Sequence, residues 1–333
     1  MKTFLIADIG ANHNGNFQTA LDLIDIIAAT GVDAAKFQTY SAKTLYAPNT
    51  PDFGGYKDIN RLIEKIELPR WWQKDLKKAC DDRGVEFIST PFDEVAIDEL
   101  VELGVKRLKI AAFESSDPRF VQMCAKTQLP LIISLGITPP GVMNRDRLHW
   151  VHRENKSPDL TFLHCSSAYP TPDEDINLRT ITYLQSVFNK RAKVGLSDHT
   201  MNVLTPALAV MLGATTCEFH ITMSRHMEGP DHPFAREPME VAEIVRNVRL
   251  AEKCIGTIAD KITPSESSNK MAMRSVVASK PIKAGDFLTP YNTTTMRPFP
   301  DGAIPAYKYF DVLQIRLRCD VPEGGIIYEY MLL

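Results

Sequence analysis

The chain has 333 residues, of which 44% are apolar and 24% charged, and a formal net charge of −3. That balance suits one large core of about 250 residues with a small appendage, and it offers no overall basic footprint for nucleic acid or a membrane surface. The six cysteines (Cys80, Cys124, Cys165, Cys217, Cys254, Cys319) show no CxxC spacing, and no run of eighteen apolar residues occurs. Reduced thiols in a protein without a membrane span are therefore expected.

The amino terminus passes from Met1-Lys2-Thr3 into strand-like Phe4–Ile9 without signal-peptide architecture, so a cytoplasmic location is expected. Further short apolar strands are predicted at Asp33–Gln38, Val85–Thr90, Arg107–Ile110, Pro130–Leu135, Leu160–His164, Lys193–Ser197 and Thr216–Ile221. Helical spacing fills the gaps at Phe17–Ala29, Trp71–Arg83, Glu94–Leu103, Pro118–Lys126, Asn144–Glu154, Glu174–Phe188 and Val203–Leu212, and a long helix closes the series at Met239–Cys254. Eight alternations match an α/β fold of the (β/α)8 TIM-barrel type over residues 1–260. An open doubly wound sheet fits less well, because Gly10-Ala11-Asn12-His13-Asn14-Gly15 lacks GxGxxG spacing.

After the last helix the composition changes. Thr263-Pro264-Ser265-Glu266-Ser267-Ser268-Asn269 reads as part of a linker over 261–275. Short strands around Val276–Ala278, Ile282–Asp286 and Ile326–Tyr328 then predict a small β-rich domain over 276–333. Its size makes docking onto a barrel, its own or a partner's, a natural stabiliser.

In such a barrel the carboxyl ends of the strands share one mouth, where active sites lie. The polar residues expected there are Asp8, Lys36, Gln38, Thr90, Lys109, Ser134, His164, Ser197, His199 and His220. His199 and His220 end adjacent strands, and two imidazoles about 5 Å apart can reach one divalent ion. Mn²⁺, Zn²⁺, Fe²⁺ and Co²⁺ all suit such a pair, while simple hydrogen bonding within the mouth is the plainer reading. Asp198 either orients an imidazole or serves as a structural acceptor.

Lys36 and Lys109 stand in apolar surroundings, where an ammonium needs an anionic partner. One reading pairs them internally with Asp8 or Glu114. A second turns them to a phosphate or carboxylate, assisted by the hydroxyls of Thr90, Ser134 and Ser197. A third makes one of them a Schiff-base nucleophile. Asn12 sits in a Gly-flanked loop that capping alone can explain. Tyr169 opens a proline-rich loop at the mouth, and Asp231 is either an acid or base or a solvated loop charge. Arg297, between Met296 and Pro298, reads locally as a surface residue.

The chain resembles the sialic acid synthase family, which includes N-acetylneuraminate, legionaminate and pseudaminate synthases. The resemblance rests on ordered segments along nearly the whole chain: Ile6–Gly15, Lys36-Phe37-Gln38, Ser89–Asp93, Lys109–Glu114, Leu163–Pro172, Gly195–Thr200 and Gly229-Pro230-Asp231-His232. It implies a metal-dependent transferase that joins phosphoenolpyruvate to an open-chain N-acylated mannosamine-like sugar. C3 of phosphoenolpyruvate would attack the aldehyde, water would add at C2, and phosphate would leave by C–O cleavage. A divalent metal is implied at His199 and His220, Mn²⁺ foremost, with Mg²⁺ or Co²⁺ as alternatives.

By the same resemblance Lys36, Thr90, Lys109, Ser134 and Ser197 match positions around phosphoenolpyruvate, and Asp8, Glu114 and Asp231 match acidic positions near water, metal or sugar. Asn12, Gln38 and Tyr169 are expected among the substrate-binding residues. The carboxyl-terminal segment is similar to the family's antifreeze-like (SAF) domain, which implies a domain-swapped homodimer with Arg297 reaching the acyl sugar. A Schiff-base pyruvate aldolase and a metal-dependent sugar isomerase are the alternatives on the same barrel. The chain departs from the family pattern at Asp8 (usually Glu), Ala112 (usually Ser), Phe219 (usually Lys) and Met223-Ser224. The Asp8 change draws a carboxylate back by roughly 1.5 Å.

Overall fold

The computed structural model describes residues 2–52, 57–137, 144–156, 159–257 and 262–333. Two compact units divide the chain, Met1–Gly256 and Thr257–Leu333. The expected boundary between 260 and 261 lies outside the described residues.

The first unit is the predicted barrel. Its strands are β1 (Phe4–Asp8), β2 (Ala34–Thr39), β3 (Glu86–Pro91), β4 (Leu108–Ile110), β5 (Leu131–Leu135), β6 (Leu160–Cys165), β7 (Lys193–Asp198) and β8 (Thr216–His220). All ladders are parallel and run in the order β3-β2-β1-β8-β7-β6-β5-β4. β3 and β4, at the two ends of this order, stand side by side without a shared ladder, so the ring is nearly closed.

Strands covered on both faces read as apolar runs, and here the pleat sorts each run into two layers. Leu5, Ala7, Ala35, Phe37, Phe162 and Leu196 face the helices and join the large outer core. Ile6, Ala34, Ile88, Ile132 and Leu163 point inward and pack as a separate plug. Two residues further along the same strands, period-2 alternation brings Asp8, Lys36, Thr90, Ser134 and Cys165 to the inner face above that plug. The site is thus built on an apolar floor.

The helices begin and end where the local chemistry dictates. In Phe17–Thr30 the Asn16 side chain accepts from the Gln18 and Thr19 amides, and Gly31 ends the helix at φ 81°. The helix predicted over Glu174–Phe188 is shorter, running from Arg179 to Phe188. Asn177 adopts φ 46° and breaks the run, leaving a 3-10 turn at Asp173–Asp175. The long connection after β2 holds two helices absent from the sequence reading, Ala42–Leu45 and Ile59–Ile66. Ile59 and Ile63 bury themselves there beside Tyr40. No helix among the described residues is long and apolar enough to cross a membrane.

The second unit pairs β9 (Ser275–Ala278) with β10 (Thr293–Met296) in an antiparallel ladder, and residues 267–272 form a 3-10 helix. The expected strands at 282–286 and 326–328 are reduced to isolated bridges, Ile282 to Val321, Val277 to Ile326 and Ala303 to Tyr328. Turns at Gly285 and Gly324, both with positive φ, cut them short. β10 escapes sequence reading because its Thr-Thr-Thr-Met run does not alternate polar with apolar. Val276, Ile282, Leu288, Ile304, Leu317 and Ile327 form this unit's own small core.

Candidate active site

A narrow cleft with a cavity volume of about 60 Å³ opens at the carboxyl ends of the barrel strands. Asp8, Lys36, Gln38, Thr90, Lys109, Ser134, Tyr169, Ser197, His199 and His220 line it, together with Phe92, Phe113, Cys165 and Glu218. Ten residues expected at a site are therefore brought together. Asn12, Glu114 and Asp231 lie outside that lining, and Arg297 belongs to the second unit.

The cations are partnered by protein groups. Lys36 Nζ lies 2.7 Å from Asp8 Oδ2 and 3.8 Å from Glu218 Oε1, and it reaches Thr90 Oγ1 at 3.4 Å. Lys109 Nζ donates to Ser134 Oγ at 2.8 Å and stands 3.5 Å from the same Glu218 oxygen. Internal pairing with Asp8 is realised for Lys36. Glu218, in place of Glu114, is the acid that both lysines share. Ser197 Oγ also donates to Glu218 Oε1, at 3.3 Å.

Sequence reasoning leaves Glu218 without a role. The signal was available, since Glu218 stands two residues before His220 on an apolar strand and the pleat turns both to one face. The same parity corrects His164. Its neighbours Leu163 and Cys165 point into the barrel, so His164 points out, and Nε2 meets the Ile176 carbonyl at 2.6 Å.

Asp8 is next to Lys36 in one ladder and to His220 in the other. Although one methylene shorter than the usual Glu, its carboxylate reaches Lys36, Gln38 Nε2 at 3.0 Å and His220 Nε2 at 3.4 Å. Burial opposes its ionisation, but the Lys36 ammonium and then His220 hold it down at about 2. Burial also works against the Lys36 ammonium, yet Asp8 and Glu218 raise its pKa. For Lys109 burial wins over Glu218 and the pKa falls.

The rings of His199 and His220 have centroids 5.4 Å apart. His199 Nδ1 lies 3.1 Å from the Ser166 carbonyl, which places the proton on Nδ1 and the lone pair on Nε2. Burial, with His220 adding to it, lowers the His199 pKa to about 3, so the ring is neutral. The buried His220 Nδ1 has no hydrogen-bond partner among the described residues and lies 3.8 Å from Asp231 Oδ2. Tyr169 packs against the pair, its ring 4.4 Å from that of His199. Among the described residues no group of three or more His, Cys, Asp or Glu is arranged to hold a metal.

Two backbone features support this cluster. Gly10 has φ 51°, and a Cβ there would meet Asp231 Oδ2 at 2.9 Å and Gln38 Nε2 at 3.2 Å. Only glycine satisfies both the conformation and the close approach. Asn12 Nδ2 ties the following loop to the Ile221 carbonyl at 2.8 Å. Glu114 sits in a turn after β4 with Oε2 buried and unpartnered among the described residues, and burial raises its pKa. Asp198 takes the structural course, pairing with Arg236 at 3.2 Å. The arrangement combines a buried pair of lysines, three hydroxyls and two adjacent imidazoles, which is equipment for an anionic substrate beside a polarised oxygen.

The model of the NeuB family matches residues 23–260. Pseudaminic acid synthase of Campylobacter jejuni is 36% identical over 98% of this chain and 96% of its own. N,N'-diacetyllegionaminic acid synthase of Legionella pneumophila is 35% identical over 99% and 95%. The crystal structure of N-acetylneuraminic acid synthetase from Leptospira borgpetersenii, in complex with citrate, superposes with a TM-score of 0.73 at 30% identity, covering 81% of this chain and 90% of that one.

Proposed function

The chain belongs to the NeuB family, and from that premise we propose that it condenses phosphoenolpyruvate with an N-acylated, mannosamine-like amino sugar. The products are a nine-carbon sialic-acid-type 2-keto acid and phosphate. The observation that carries this reading is the pair of buried lysines, set among Thr90, Ser134 and Ser197, in one cleft with the imidazoles of His199 and His220.

The lysines and hydroxyls seat the carboxylate and phosphate of phosphoenolpyruvate, while Glu218 keeps both ammonium groups aligned when the seat is empty. The C3 electron pair forms the new bond to the sugar's C1, and the aldehyde oxygen takes up a proton. Water adds at C2, and the C2–O bond breaks to release phosphate and leave the ketone. Asp8 and Asp231, on either side of His220, hold the water and move its proton. Glu114, Asn12, Gln38 and Tyr169 orient the acceptor, joined by Arg297 of a domain-swapped second subunit.

His199 and His220 suit a divalent ion, as neutral or unpartnered nitrogens on adjacent strands, with Mn²⁺ favoured and Mg²⁺ or Co²⁺ as alternatives. Such an ion, when bound, supplies Lewis-acid polarisation of the aldehyde oxygen.

The test is mass spectrometry of products from a panel of six-carbon acylamino sugars with phosphoenolpyruvate. Phosphate should appear only when sugar, phosphoenolpyruvate and Mn²⁺ are all present, and His199→Ala and His220→Ala should abolish it. A borohydride-trapped pyruvate adduct on Lys109 would establish an aldolase instead. Sugar conversion without phosphoenolpyruvate would establish an isomerase.

A further inference from the structure

One residue outside the cleft ties together the two strand ends that carry the histidines. Arg236 is 1% exposed. Its Nη2 lies 3.2 Å from Asp198 Oδ2, 3.3 Å from Thr200 Oγ1 and 3.3 Å from the Asn202 carbonyl. The first two acceptors flank His199 on either side. Asp198 Oδ1 in turn accepts from the Thr200 amide at 2.9 Å, closing a tight turn around that histidine. The backbone of Arg236 serves the other strand: its amide donates to the His220 carbonyl at 2.8 Å, and its carbonyl accepts from the Thr222 amide at 3.0 Å. Ile221 and Arg236 form a parallel bridge there.

We propose that Arg236 is a positioning residue that sets the separation of His199 and His220, and through it the affinity of the pair for a divalent ion. This rests on the reading of those two histidines as the metal ligands. Neither Arg236 nor Asp198 lines the cleft, so Arg236 acts through the histidines and not on the substrate. The Asp198–Arg236 pair is almost fully dry, and removing one member leaves the other as an uncompensated buried charge. A turn that loses its clamp lets the His199 ring drift relative to the strand that holds His220. Groups that orient ligands in this way typically account for about 10–100-fold of metal affinity.

The experiment titrates the metal-free full-length chain with Mn²⁺ alone, by calorimetry, with folding followed by circular dichroism and Tm. Arg236→Met should bind Mn²⁺ about tenfold or more weakly, with Arg236→Lys in between, while the KM for phosphoenolpyruvate at saturating Mn²⁺ stays within about twofold. A folded Arg236→Met protein with parental Mn²⁺ affinity overturns the proposal. Should that variant fail to fold, Asp198→Asn decides: it keeps an acceptor for the Thr200 amide but no charge for the guanidinium. Weaker Mn²⁺ binding by folded Asp198→Asn supports the proposal, and parental affinity overturns it. A parent that binds no Mn²⁺, or a His199→Ala variant that binds it normally, overturns the metal reading and this inference with it.

Discussion

His13 follows β1 in the turn that carries Asn12, its Nδ1 accepting from the Gly15 amide at 3.0 Å and its ring edge-on to Trp72. A ring nitrogen that accepts a backbone proton cannot also be protonated, and burial lowers the pKa to about 4. Between the ordinary histidine pKa and that value, the unfolded chain binds a proton that the folded chain refuses, so stability falls as pH drops through this window. His13→Gln keeps an acceptor and cannot titrate. From pH 6.5 to pH 4 it should lose about 3 kcal/mol less unfolding free energy than the parent in urea titrations, and parallel losses would refute the assignment. At this scale the sequence was informative wherever a residue type was costly to bury, as with Lys36, Lys109 and the histidines. It was silent on who partners whom. Glu218 is named only by its place on the pleat, and Arg236 only by the fold that brings residue 236 back to residue 198.

Among the elements, β7 shows how closely the inner wall is fitted. A Cβ on Gly195 would fall 2.2 Å from the Thr216 carbonyl and 2.7 Å from Leu163 Cδ2. Thr216 is backbone in the neighbouring strand, so it cannot turn aside. Gly195→Ala should therefore cost about 3 kcal/mol or more, measured by chemical denaturation; an unchanged midpoint would show that the wall yields. The eight strands were legible because fully buried parallel strands write themselves as short apolar runs bounded by helical spacing. The helices at 42–45 and 59–66 were not, because each is short and one carries its apolar residues on a narrow face. Asn177 shows a different limit: its left-handed backbone ends a pattern that composition would have continued.

The whole molecule poses the question of how the second unit serves the first. Its Tyr291, Tyr307 and Phe310 are strongly exposed, and Arg297 precedes Pro298 beyond β10. If Arg297 acts across a two-fold dimer, mixing Arg297→Ala subunits with Lys109→Ala subunits regenerates one intact site in each mixed dimer. Random exchange should then restore roughly a quarter of parental turnover, whereas no recovery would confine Arg297 to its own chain. Local sequence marks this arginine as a surface residue. Its proposed importance comes from the family alone, since a contact between subunits leaves no periodicity in either one.

The inner plug and the polar ring above it ride on the same alternation: Ile6 then Asp8, Ala34 then Lys36, Ile88 then Thr90, Ile132 then Ser134. A single inserted or deleted residue early in any of these strands would invert its parity. It would thrust the strand's polar group, a carboxylate, a lysine or a hydroxyl, among the helices and an outward-facing residue into the mouth. Insertions and deletions should therefore be tolerated in the loops and not within these four strands.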